Sequence, residues 1–399
     1  MRRGIGPLLI AVAMTSYAAM PAGAEDWPDD ARSGRVVGGA ALVRATPDEE
    51  GELRGAIRYG TRVPLLEHGG PTPRCPGWFR VFDEGWVCED NLRPSMEEPL
   101  AEPQPRVRGT RTLPYRYWRV PDGGAPVFRR PGEPPIARLT ADAIIATHRW
   151  GRVGDAHSRR LDGTWIRRDA LRALRPSRFE GVETDADSLP RLAWNIRHRT
   201  ALRDRIGGRI VDRLRYHTRV RTGAPPSDAY VELDSGQYVR EDALTSFSVA
   251  APPADLASGE RWVDVELDSQ ILVAYEGVTP VFATLVSTGR PWRDRETPRG
   301  EFRVWIKMAT STMDQLEDPD ATDRYSVEAV PWVQYFEGSN ALHAAFWHDS
   351  FGARVSHGCI NLSPADARRL FDWSEPVLPP GWVTVRPTAS QPGTRIRVR

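Results

Sequence analysis

Ser356-His357-Gly358-Cys359-Ile360-Asn361 is the stretch on which the reading of this chain turns. A free thiol is only about 3% thiolate at neutral pH when its pKa is near 8.5, so a nucleophilic cysteine needs a base or a positive neighbour. Sixteen residues upstream stands His343, an imidazole suited to take the thiol proton and hand it to a leaving amine. Gly358 allows close backbone approach just ahead of the sulfur, which makes the amides of Gly358 and Cys359 candidate donors to a developing oxyanion. His343, His348, His357 and Cys359 also carry metal-donor atoms, but their spacing matches no common zinc site. No metal and no cofactor are therefore expected.

The chain has three cysteines, Cys75, Cys88 and Cys359. An odd number in an oxidising compartment leaves one thiol over. Cys75 and Cys88 flank a short, turn-rich segment and are expected to form a disulfide, which leaves Cys359 unpaired.

Downstream of Cys359 a helix is expected. Ser363 suits its N-cap, Pro364 its first position and Asp366 its first turn, and Ala367, Leu370 and Phe371 fall on one stripe. Leu378-Pro379-Pro380-Gly381 breaks the pattern, and Trp382 to Val385 reads as a last strand. Upstream, Val263, Val265 and Leu267 alternate into an Asp268-Ser269 turn, followed by Ile271, Val273 and Tyr275. That is a hairpin with one buried face.

Residues 262–386 resemble the YkuD-type L,D-transpeptidase catalytic domain. The resemblance rests on His343 followed by Ser356-His357-Gly358-Cys359-Ile360-Asn361. It is supported by the opening hairpin, by Val286-Ser287-Thr288-Gly289 and by Thr297-Pro298-Arg299-Gly300-Glu301-Phe302. It implies a mainly β fold, a curved β-sandwich with one or two helices. It implies Cys359 as nucleophile attacking a peptidoglycan tetrapeptide stem between diaminopimelate and the terminal D-Ala. His343 would carry the proton, and Gly358, His357, Ser356 and Asn361 would form the oxyanion site and pocket. Ala344 stands where the family often has Gly or Ser beside the base, so any help in orienting His343 falls to a backbone carbonyl. Residues Lys307 to Asn340 fall where the family's substrate-covering lid lies, with Trp332, Tyr335 and Trp347 as candidate groove residues. An amine acceptor on a neighbouring stem makes the reaction a transpeptidation. Water in its place makes it an L,D-carboxypeptidase or amidase-type hydrolysis, and a silent wall-binding protein is the non-enzymatic alternative.

Three segments end alike. Aligning Trp86, Trp165 and Tyr238 puts a β-branched residue at +1 (Val87, Ile166, Val239), Asp at +4 (Asp90, Asp169, Asp242) and Leu at +6 (Leu92, Leu171, Leu244). One small β unit thus recurs three times. Its closing pattern resembles bacterial Src-homology-3-like (SH3-like) barrels, in which the Leu packs into the barrel. A buried aromatic is expected to close each small core. The expected organisation is a first module at 35–95, a Pro-rich linker at 96–112, a second module at 113–175, a third at 188–248, a catalytic domain at 259–387 and a tail at 388–399.

Arg2 and Arg3, the apolar run Leu8 to Met14 and the small residues Ala22-Gly23-Ala24 read as a signal peptide over residues 1–24. The apolar run is far shorter than the ~20 residues that span a bilayer, so export to the periplasm or cell wall, with no transmembrane segment after cleavage, is expected. Basic and acidic residues number 54 and 53, a balance that offers nothing to nucleic acid. Peptidoglycan stem peptides are the expected partners, and nothing in the sequence sets an oligomeric state.

Overall fold

The computed structural model describes residues 27–28, 30–82, 85–154, 156–223, 227–292, 295–314 and 325–399. The signal segment 1–24 lies outside these, as do Glu317, Asp318, Asp320 and Asp323 of the expected lid. The described residues are mainly β, with one α-helix, Pro364–Trp373. None of their helices is long and apolar enough to cross a membrane.

The chain divides into two compact units. The first comprises 1–175, 305–338 and 368–393; the second comprises 176–304, 339–367 and 394–399.

The threefold repeat is visible in the backbone. The strands Gly85–Cys88, Trp165–Arg167 and Tyr238–Arg240 each run straight into a one-turn 3-10 helix, at Glu89–Asn91, Arg168–Ala170 and Glu241–Ala243. The recurring Asp lies in that turn every time. The β-branched residue is the anchor: Val87, Ile166 and Val239 are all fully buried. The aromatics Trp86, Trp165 and Tyr238 are only half-buried, contrary to expectation. Strand alternation explains this, because adjacent residues face opposite sides and the smaller β-branched one takes the inner side. Leu92 is buried, whereas Leu171 and Leu244 are half-buried against their cores. Cys75 and Cys88 form a disulfide in the first repeat.

In the first unit, Trp382 and Val385 join the core of the first repeat with Val36, Val43, Ile57 and Val87. Their strand, Trp382–Val385, pairs with both Leu53–Ile57 and Ile306–Asp314. Gly55 is required at that seam, since a Cβ there would sit 2.2 Å from the Thr384 carbonyl oxygen. The segment expected to form a lid is a long antiparallel pair, Ile306–Asp314 with Ser326–Glu337.

In the second unit, six strands lie in the order Val182–Glu183, Thr279–Leu285, Ile271–Glu276, Arg261–Glu266, Arg395–Val398 and Gly300–Arg303. The opening hairpin is present, with Trp262 opposite Tyr275 and Val265 opposite Leu272. Both its faces are covered, not one: Trp262, Val263, Asp264 and Val265 are all buried. The buried Asp264 is compensated by Arg397 at 2.6 Å and Arg399 at 2.9 Å. Arg397 lies within, and Arg399 just past, the strand Arg395–Val398 in the stretch read as a tail; its alternating Arg and apolar residues pair in parallel with Arg261–Glu266.

Candidate active site

Cys359 stands one residue ahead of the strand Ile360–Leu362, which pairs in parallel with Asn340–Ala344. The register sets Leu342 opposite Ile360 and His343 opposite Asn361. Continued one residue past the strand end, that register would set Cys359 opposite Ala341, two residues from His343. With strands about 4.8 Å apart and a rise of about 3.3 Å per residue, that places the two backbones roughly 8 Å apart.

His343 is 2% exposed, and its Nδ1 lies 3.2 Å from the Ala344 carbonyl oxygen. A carbonyl only accepts, so Nδ1 carries the hydrogen and Nε2 is left as the basic nitrogen. The indole of Trp347 stacks on the imidazole with ring centroids 5.8 Å apart. Burial pushes the His343 pKa down to about 4, against a smaller opposing effect of the Ala344 hydrogen bond. The Cys359 thiol is half-exposed, with Sγ 3.8 Å from the Ser339 carbonyl oxygen. The protein mass around it nevertheless pushes its pKa up to about 11. The resting pair is thus a neutral thiol beside a neutral imidazole.

The turn that presents the sulfur is fixed by its own polar groups. Ser356 Oγ donates to the Cys359 carbonyl at 2.6 Å and accepts from the Gly358 amide at 3.2 Å. The Gly358 N–H, expected at an oxyanion, is therefore engaged within the turn. Gly358 has φ +121°, and a Cβ there would meet Asn340 Oδ1 at 2.4 Å. Only glycine fits.

Two other motifs are stapled to this turn. Thr297 Oγ1 donates to the Gly358 carbonyl at 2.8 Å and accepts from the Gly289 amide at 2.9 Å. The Ser356 amide donates to the Thr288 carbonyl at 3.0 Å, and Asn361 exchanges two backbone bonds with Ser287. Sequence reading missed the group that completes the staple, Gln270. Its side chain accepts from the Thr288 amide at 2.8 Å and donates to Thr288 Oγ1 at 2.6 Å and to the Leu267 carbonyl at 2.7 Å.

His348 braces the far side. The Ser350 amide donates to its Nδ1 at 3.1 Å, so a neutral ring carries its hydrogen on Nε2. Asn361 Nδ2 stands 2.9 Å from that nitrogen, and since both would then donate, the amide is assigned in its flipped orientation, with Oδ1 accepting from Nε2. Burial pushes His348 down to about 4, which keeps the ring neutral. His357 is half-exposed at the turn.

Of the expected groove residues, half-buried Trp347 stacks on His343. Trp332 and Tyr335 belong to the other compact unit, where they are 2% and 6% exposed. The Tyr335 hydroxyl is taken by Ser311 Oγ at 3.0 Å. So little accessible ring surface fits core packing rather than a groove wall.

Residues 260–398 match the family model of the YkuD L,D-transpeptidase catalytic domain. Over 91 residues the chain is 40% identical to L,D-transpeptidase 1 of Mycobacterium tuberculosis, covering 22% of this chain and 36% of that relative. Residues 260–398 are an L,D-transpeptidase catalytic domain. Two solved L,D-transpeptidases are also similar. One is from Mycobacterium smegmatis, 22% identical with TM-score 0.28, covering 45% of this chain and 82% of that one. The other is the catalytic domain from Enterococcus faecium, 24% identical with TM-score 0.28, covering 35% of this chain and 98% of that one. The assignment rests on the family match and the mycobacterial relative. The transpeptidase domain reaches residue 398, so it takes in the strand Arg395–Val398.

Proposed function

We propose that this protein is an exported peptidoglycan L,D-transpeptidase acting through a Cys359 thioester. The observation that carries the reading is the orientation of His343. Its Nδ1 is tied to the Ala344 carbonyl, which leaves a basic Nε2 on a residue two positions along the register from the only cysteine outside the disulfide.

The thiol is not ionised at rest, so proton removal and attack occur together. Sγ bonds to the stem carbonyl carbon while His343 Nε2 takes the thiol proton. The Cys359 amide is the proposed oxyanion donor, since the Gly358 amide is held by Ser356. Collapse breaks the C–N bond to D-Ala, and the imidazolium returns the proton to the leaving amine. A side-chain amine of a second stem then attacks the thioester and gives its proton to His343. The C–S bond breaks, the new amide forms, and the proton returns to sulfur. The three repeats are read as SH3-like modules that hold the enzyme against the wall.

Purified disaccharide-tetrapeptide incubated with the protein tests this by mass spectrometry. The proposal expects cross-linked dimers together with free D-Ala. Tripeptide without dimers identifies a hydrolase instead, and unchanged tetrapeptide removes the enzyme reading.

A further inference from the structure

The loop 345–352 carries two rings that hold the reacting groups: Trp347 stacks on His343, and His348 engages the Asn361 side chain. The catalytic strands are not its only support. Residues of the third repeat reach it from the side. Tyr216 Oη donates to the Phe351 carbonyl at 2.8 Å, and His217 Nε2 lies 2.9 Å from the same oxygen. Because that oxygen only accepts, His217 carries a hydrogen on Nε2. Both lone pairs of one loop carbonyl are thus filled by neighbouring residues of the repeat.

Further contacts reinforce this clamp. Ser177 Oγ bonds to the Asp349 carboxylate of the loop. The Tyr216 and His217 rings, tilted by 31°, lie 3.9 Å apart, His217 meets Phe179 at 4.6 Å, and Phe179 meets the fully buried Phe351 at 5.8 Å. Gly352 lets Ile196 approach, since a Cβ there would lie 3.0 Å from its Cγ2. His217 has φ +63°, a conformation that a non-glycine residue keeps only where its surroundings hold it.

We propose that the third repeat is part of the catalytic apparatus, with Tyr216 and His217 as positioning residues that fix the Phe351 carbonyl and so set the loop that orients His343 and Asn361. The inference rests on Cys359 and His343 being the acyl-transfer pair. It assigns this repeat a task separate from any hold on the wall. A support needed only for folding lowers stability and leaves each folded molecule fully active. A positioning support lowers the rate of molecules that are still folded.

The test uses the full chain with Tyr216→Phe combined with His217→Leu, and His217→Gln in the Tyr216→Phe background. Glutamine restores an N–H donor near the position of Nε2, whereas leucine does not. Cys359 acylation by a carbapenem is followed against carbapenem concentration, below the melting temperature of every variant. The saturating rate is expected to fall roughly tenfold in the leucine variant, with half-saturation changed by less than about twofold and most of the rate recovered by glutamine. An unchanged saturating rate in the folded leucine variant, or no recovery with glutamine, overturns the proposal. Alkylation of Cys359 by iodoacetamide at pH 7, compared with His343→Ala, supplies a readout that needs no acyl substrate. If wild type alkylates in a His343-dependent way but resists the carbapenem, the transpeptidase reading fails, and the alkylation rates of the variants still decide the clamp. If alkylation is indifferent to His343, the clamp proposal falls with the catalytic pair.

Discussion

The segment 339–362 and the ends of the repeats are both built from short strands rich in polar residues, yet they treat charge in opposite ways. At the ends of the second and third repeats the recurring Asp pairs with an Arg two residues before it, Arg167 with Asp169 and Arg240 with Asp242, both in the open. Around the turn that carries Cys359 the side chains of Ser356, Thr297, Gln270 and Asn361 are neutral, with backbone groups or other neutral side chains as partners. The charged Asp349 and Arg354 of the same segment bond outside that network. Exposed ion pairs are screened and weakly coupled to stability. A buried neutral network responds steeply to the loss of any member, because the partner left behind has no water to turn to. Chemistry and stability are therefore expected to separate when each region is perturbed.

The largest effect belongs to the sulfur. Cys359→Ala is expected to abolish covalent labelling by a carbapenem while leaving the melting temperature close to wild type, read by intact mass and calorimetry. His343→Ala comes next, lowering the acylation rate by about 10²–10⁴-fold, the usual range for a lost general base. A smaller loss would show that His343 is a packing residue.

The pH dependence sharpens the contrast. The folded His343 pKa is depressed to about 4, so the base stays neutral above that value. Acylation should be level from about pH 5 to 8 and decline as pH falls through 4, with no inflection near the ordinary histidine value. The Cys359 thiol is raised to about 11, so iodoacetamide alkylation should climb about tenfold per pH unit through the alkaline range. An inflection near neutral pH in either profile would indicate a resting ion pair. His343 also contributes stability that is complete above its unfolded value of 6.5 and lost as pH falls from there toward 4.

Outside the site, Gly55→Ala forces a methyl against the Thr384 carbonyl and the Trp382 ring. It should cost about 1–3 kcal/mol of stability, measured by denaturant unfolding, with acylation per folded molecule unchanged. At the bottom of the scale, Asp169→Asn and Asp242→Asn should leave both the melting temperature and the acylation rate as they are. A clear drop in either would show that the repeat ends are coupled more tightly than exposed pairs allow.

The site was legible because its chemistry is contiguous. Cysteine, glycine and serine in one turn carry both the proposed nucleophile and its scaffold, and Ser363 with Pro364 marks the helix that follows; Ser363 Oγ does accept from the Asp366 amide at 3.2 Å. The repeats were legible in their spacing but not in their facing, because period-two alternation does not say which of two adjacent apolar residues turns inward. Gln270 and the Tyr216–His217 clamp were not legible at all. Gln270 acts mainly on Thr288, eighteen residues away, and the clamp acts on a single carbonyl distant in sequence; such contacts leave no local pattern. The strand at 395–398 was hidden by its arginines, which look solvent-facing until Asp264 and Asp255 are seen opposite them.

Tandem mass spectrometry of the protein quenched in acid during turnover with a tetrapeptide stem tests the central claim most directly. The account predicts a stem tripeptide bound as a thioester to the peptide containing Cys359, present in wild type, scarce in His343→Ala and absent from Cys359→Ala. Steady product formation with that residue unmodified throughout, or an adduct on any other side chain, would contradict it.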